Sequence, residues 1–162
     1  MMKKAAQKTH RGLLLFLGLT AMIGGGALII SPSGKLLGGL PLSILENSPF
    51  PDFLIPGIIL FFVLGFLPLL IVVALVKRPL VPFAEYFNLF KDMYWAWTYS
   101  IYLALALIIW IQAETFFIQR VGWLQMFYML YAIPMIIVAL LPEIRNSYAK
   151  NLSLQLNKNS KK

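Results

Sequence analysis

Long apolar runs separated by short polar breaks set the pattern of this chain, at the spacing of helices that cross a bilayer. The first run, Gly12 to Ile30, would be about 28 Å long as a helix, close to the hydrocarbon thickness. Thr9 is placed to cap it and Ser31-Pro32-Ser33-Gly34 to stop it. The second run, Phe53 to Val76, lies between Asp52 and Lys77-Arg78-Pro79. Asp52 suits an N-cap, Pro56 is tolerated in the opening turn, and Pro68 in mid-run predicts a kink. The third, Met93 to about Ile111, opens on Tyr94, Trp95, Trp97, Tyr99 and Tyr102, rings that favour the headgroup boundary. The fourth, Val121 to Leu141, contains Pro134 and closes at Pro142. The pattern predicts an all-α fold, an integral membrane bundle of four transmembrane helices with short interfacial helices, formed by residues 1–162 as one domain.

Between the runs, residues 81–92 place Phe83, Phe87 and Phe90 on one helical face and Glu85, Asn88 and Asp92 on another. That is an amphipathic helix suited to a membrane interface. The basic tail 142–162 repeats the idea with Ile144, Tyr148, Leu152 and Leu156, and Asn157 to Lys162 reads as disordered. Small residues mark packing faces: Gly18, Ala21 and Gly25 in the first run, Gly57 and Gly65 in the second. A rival interpretation makes the first run a secretory signal cleaved after Ala27, although hydrophobicity continues through Leu28-Ile29-Ile30. The segment from Lys35 to Asp52 is too apolar for a free loop and too broken for a span. It reads as a shaped cap dipping into the outer interface.

Composition excludes a water-soluble domain. The chain is 60% hydrophobic and 12% charged with mean hydropathy +0.79, against roughly 45–50% and 25% in soluble proteins. The net charge of +8 is concentrated in the tails and the 77–92 segment. Only Lys35 and Arg120 among the basic residues fall in the other two connections. Such asymmetry predicts both termini on the cytoplasmic side of the cell membrane, and it argues for anionic lipid rather than nucleic acid. The absence of cysteine removes disulfide and thiolate chemistry from this chain. The single histidine, His10, reads as part of a basic tail and alone builds no metal site. Gly24-Gly25-Gly26 has no following Lys-Ser/Thr and is no phosphate loop. No cofactor or metal is implied.

The candidate polar site gathers at the outer end. Tyr102, Ala106, Trp110 and Glu114 are four apart and share a helical face, with Gln119 and Arg120 following. A carboxylate at the hydrocarbon edge is paired, hydrated or used. Glu114 is therefore either a proton-accepting or ligand-binding group, partnered by Arg120 or Gln125, or a solvated residue of the outer loop. Gln125, on a face with Tyr128 and Ala132, reads as an interhelical hydrogen-bonding group. Glu46, Asn47, Ser48 and Asp52 are placed to surround the mouth of a cavity beside Glu114. No catalytic constellation is specific.

Ser48-Pro49-Phe50-Pro51-Asp52-Phe53-Leu54-Ile55-Pro56-Gly57 and Trp110-Ile111-Gln112-Ala113-Glu114 resemble segments of small uncharacterised bacterial membrane proteins. In architecture the chain resembles the DoxX-like group. The resemblance implies a bacterial inner-membrane protein with respiratory or thiol-redox partners. Without cysteine such a role would be accessory, through quinone or another protein. Two functional expectations follow. One is a non-enzymatic accessory, assembly or lipid-binding bundle, associating with itself, a membrane-protein partner or lipid. The other is an enzyme or carrier for a quinone, isoprenoid or lipid, with Glu114 as its acid/base group. On the first, Glu114→Gln and Asp52→Asn leave assembly and bound lipid unchanged in native mass spectrometry. A clear loss in either would favour the second.

Overall fold

A computed structural model describes residues 2–38, 41–46, 48–119 and 122–150. Four of its helices are long and apolar enough to cross a membrane, which makes this a multi-pass, all-α membrane protein. α1 runs Met2–Ile30, and short 3-10 turns follow at Lys35–Leu37 and Leu42–Leu45. The second span joins α2 (Leu54–Ile59), a π-helical stretch (Leu60–Phe66) and α3 (Leu67–Lys77). A short α4 (Pro82–Tyr86) precedes the spans α5 (Trp95–Ile118) and α6 (Trp123–Leu140). α7 (Pro142–Tyr148) closes the described chain. Among the described residues there is no strand, only an isolated bridge between Met93 and Ala149.

Successive spans alternate in direction. At one end, called proximal here, the start of α1 meets the start of α5 through His10 and Ser100, and Arg78 meets α7 at Ser147. At the distal end Phe50 packs edge-on to Phe117, and Leu28 clusters with Leu45 and Phe53.

The boundaries differ from the sequence pattern in instructive ways. α1 starts ten residues before Gly12, because His10, Leu14, Leu17, Ala21 and Leu28 continue one buried face. Gly24–Gly26 lies inside this helix, and α1 packs on the second span. α5 extends past Ile111 to Ile118. Gln112, Ala113 and Glu114 all tolerate a helix well, and Gln119 ends it in the left-handed region at φ 51°. Hence Glu114 belongs to the helix, not to a solvated loop. The interfacial helix expected over 81–92 is helical only over Pro82–Tyr86. Asn88 breaks it, its Oδ1 accepting from the Phe90 amide as an Asx turn does.

The tightest packing joins α1 to the second span. A methyl added to Gly25 would lie 2.6 Å from the Phe61 amide nitrogen and 2.8 Å from the Gly57 carbonyl oxygen. One added to Gly65 would lie 3.0 Å from the Met22 amide nitrogen. These glycines act by lacking a side chain, so that two backbones approach closely. Pro68, where the sequence predicts a kink, is preceded by the π stretch. A proline ring collides with the carbonyl four residues back, and the wider turn moves the bonding partner by one. The Leu67 amide accordingly bonds the Phe62 carbonyl, five residues back. Gly25→Ala should lower thermal stability in detergent, by about 1–3 kcal/mol for an overpacked interior. Gly12→Ala, with open space around it, should not. Equal melting temperatures for the two variants would remove the close-approach role of Gly25.

Candidate functional site

The sequence expectation centred on the distal end, where the structure brings Trp110, Glu114 and Gln125 together. Glu114 is half-buried one helical turn beyond Trp110, and its carboxyl approaches both the Trp110 side chain and Gln125 on α6. Gln125 sits in the first turn of its helix, and its hydrogen bond is local: Oε1 accepts from the Gly122 amide at 3.1 Å. The sequence pattern made it an interhelical group. Its carbonyl also serves as a cap, because opening amides of a helix lack partners within it. The other half of the Gln125 amide is what remains for Glu114.

Asp52 and Glu46 make other contacts. Asp52 Oδ1 accepts from the Leu54 amide at 2.9 Å, fixing the start of the second span. Glu46 lines an open depression of about 440 Å³ with Leu42, Leu45, Ser48, Pro49, Phe50 and Pro51. A second open groove of about 390 Å³ runs between α5 and α6, lined by Ile111, Gln112, Thr115, Gln125, Met126, Met129 and Leu130. The two share no lining residue, and Glu114 lines neither. Arg120 and Asn47 fall outside the described residues.

At the proximal end lies a polar network whose character the sequence did not announce. Asn88 is 1% exposed. Its Nδ2 donates to the Met93 carbonyl at 2.9 Å and to Glu85 Oε2 at 3.2 Å, while its Oδ1 accepts from Thr98 Oγ1 at 2.6 Å. Glu85 also forms an ion pair with Lys150, Nζ to Oε2 at 2.6 Å. Glu85 and Asn88 thus turn toward the protein rather than toward water. The opposite side stays apolar and outward, with Leu80 89%, Phe83 75% and Tyr86 78% exposed.

The aromatic residues that open α5 have a structural task that the sequence pattern did not show. Trp97 is almost fully buried, and its Nε1 donates to the Ala139 carbonyl at 2.8 Å. Tyr94 Oη and Trp95 Nε1 both donate to the Pro79 carbonyl, at 2.8 and 3.1 Å. Tyr99 and Tyr102 donate to the Ala84 and Phe87 carbonyls. Their donors hold down a non-helical connection, as buried carbonyls require.

His10 is the residue sequence reasoning placed wrongly. It is 2% exposed, and its Nε2 lies 3.0 Å from Ser100 Oγ. The signal available was its position four residues before Leu14 and seven before Leu17, on their buried face. The pair does not form a nucleophilic dyad. Ser100 Oγ donates its one proton to the Trp97 carbonyl at 2.6 Å, so it accepts from His10 instead of giving its proton up. Among the described residues, Nδ1 of His10 is left buried without a partner. No group of three His, Cys, Asp or Glu residues there could hold a metal ion.

The Glu85–Lys150 pair gives a pH signature. Partial burial raises the Glu85 carboxyl, but hydrogen bonds from Lys150 and Asn88, and the Lys150 charge, outweigh it and hold the carboxyl below its ordinary value of 4.5. A depressed carboxylate stabilises the fold above its unfolded pKa, and that contribution is lost as pH falls through the folded one. Melting temperature should therefore decline on acidification below about pH 4.5. Glu85→Gln should melt lower near neutrality and show a flatter acid limb. An unchanged acid limb in that variant would exclude the pair as its source.

Comparison with known proteins adds no relative: no family model matches the chain, and neither a curated protein nor a solved structure matches it.

Proposed function

We propose that the chain is a non-enzymatic membrane bundle that holds a lipid chain in the groove between α5 and α6, as an accessory or assembly component of the membrane. The observation that carries this is the make-up of the groove. Met126, Met129, Leu130 and Ile111 form an apolar wall, and Gln112, Thr115 and Gln125 supply polar groups. An acyl or isoprenoid chain matches the wall, and its ester or carbonyl end matches the amides and hydroxyl. Methionine suits such a surface because its unbranched side chain adapts to irregular ligands.

The neighbouring chemistry supports binding over catalysis. Asp52 bonds its own backbone at the start of the second span, the Ser100 hydroxyl faces a carbonyl, and Glu114 stands outside the groove lining. In this proposal both termini face the cytoplasm and the bundle resides in a bacterial inner membrane, DoxX-like in architecture. Support for that orientation comes from Lys3, Lys4, Lys8, Arg11, Lys77, Arg78, Lys91 and the tail lysines, set against Lys35 and Arg120. Association with itself or with a membrane-protein partner belongs to the same proposal.

Native mass spectrometry of the gently extracted protein tests the groove. Wild type should retain a lipid adduct, and Met129→Trp, which fills the groove, should reduce it roughly tenfold, corresponding to about 1.4 kcal/mol. Thr115→Val should weaken it less. Retention undiminished by Met129→Trp would sink the proposal. Loss of the adduct on Glu114→Gln alone would favour an enzyme or carrier built on that carboxylate.

A further inference from the structure

A second feature, at the proximal end, is independent of the groove. Arg11 on α1 and Arg78 after α3 both act electrostatically on the Tyr148 phenol of α7, so three separate elements bring their polar ends together. Tyr148 is 2% exposed overall, yet its hydroxyl makes no hydrogen bond among the described residues. Arg78 is held in position by several contacts. Its Nη2 donates to the Ser147 carbonyl at 2.9 Å, its guanidinium lies 5.1 Å from the centre of the Tyr148 ring, and its backbone is left-handed at φ 52°. Arg11 is positioned through Nε, which donates to the Gln7 carbonyl at 3.0 Å.

Neither arginine pairs with a carboxylate among the described residues, where the one ion pair is Lys150–Glu85. Two guanidiniums, each held by one of its nitrogens, therefore keep unused N–H donors in the neighbourhood of a phenol hydroxyl, donor types that suit a phosphate. Burial raises the Tyr148 phenol while the two cations pull it down. The balance leaves it a protonated donor at neutral pH, which adds a third hydrogen bond to an anion. The surroundings say where such a phosphate comes from. Val76, Leu80 and Phe83 are exposed and apolar next to Arg78, so the site lies where a lipid-covered surface gives way to water. An anionic headgroup reaches that boundary with its chains already in the lipid.

We propose that Arg11, Arg78 and Tyr148 form a site for the phosphate of an anionic phospholipid headgroup. The test is spin-label spectroscopy of the protein in phosphatidylcholine bilayers, comparing boundary association of spin-labelled phosphatidylglycerol and phosphatidylcholine. Wild type should prefer phosphatidylglycerol, and loss of either arginine should lower that preference by well over the roughly fivefold that one basic residue of a diffuse surface field supplies. Arg11→Gln, whose native contact is within its own helix turn, tests the site without disturbing α7. Arg78→Lys keeps the charge but loses the fork, and it should bring a partial loss of the preference.

Lys77→Gln is the control for diffuse surface charge. A drop equal to that of Arg11→Gln would overturn the site in favour of a general basic field. Inorganic phosphate at matched ionic strength separates the two sources of the anion. Preference that survives supports the lipid headgroup; preference abolished by free phosphate overturns it. Met129→Trp should leave this preference intact, so failure of the headgroup site and failure of the α5–α6 groove are told apart.

Discussion

A backbone that leaves the helix must find other partners for its amides and carbonyls, and that constraint governs the proximal end of this protein. Between α3 and α5 the chain leaves helical conformation for most of its course, so its carbonyls need donors from elsewhere. α5 provides them from one face: Tyr94 and Trp95 to Pro79, Tyr99 to Ala84, Tyr102 to Phe87. Tyr102 Oη also accepts from the Leu89 amide, so one side chain serves both directions. Asn88 closes the segment from within, and Lys91 covers the Glu85 and Tyr86 carbonyls. α7 is then docked by main-chain bonds from Tyr94 to Tyr148 and from Lys150 to Asp92. Because each member of the network is satisfied by another, its loss would spread. Partly satisfied polar networks cost more than they contribute.

The other half of the architecture rests on the opposite device, the removal of side chains. Gly25 and Gly57, and Gly18 and Gly65, let α1 and the second span approach at backbone distance. The π stretch falls on this same seam, immediately before Pro68. α6 leans mainly on α5 and also reaches α1, where Tyr131 Oη donates to the Leu13 carbonyl at 2.8 Å and Phe16 packs on Phe127 and Tyr131. Methionines line the α5–α6 face where small residues line the other. A groove remains on the first face, and the backbones close up at the glycines of the second.

Fold was legible in the sequence because its strongest signals are lengths of apolar runs, which the bilayer turns into spans. The glycine stripes were legible for the same reason, since a helix has a fixed period. What sequence hid was direction. Glu85 and Asn88 look like a solvated face until α5 is seen to offer Thr98 and the Met93 carbonyl to them. The rings at the start of α5 read as an interfacial belt, and nothing in their order showed that the donors of Tyr94 and Trp95 meet one carbonyl fifteen and sixteen residues back. His10 looked like part of a charged tail because Lys8 and Arg11 flank it, yet the buried period of α1 runs through it. At the distal site the i, i+4 spacing brought Trp110 and Glu114 into one cluster. Asp52 could not be read the same way, since a carboxylate before a helix serves its own backbone first.

Span lengths carry one more consequence. α6 has 18 residues and α5 has 24, so as helices they measure about 27 Å and about 36 Å. Two adjacent walls of the same bundle therefore ask for different membranes. The longer one is accommodated by tilt, while lipid beside the shorter one has to thin or to present shorter chains. Trp123, exposed at the start of α6, pins the short wall to the headgroup level. The compressed lipid annulus thus lies beside the methionine-lined groove. Bilayer thickness becomes a variable that this protein feels on one flank only.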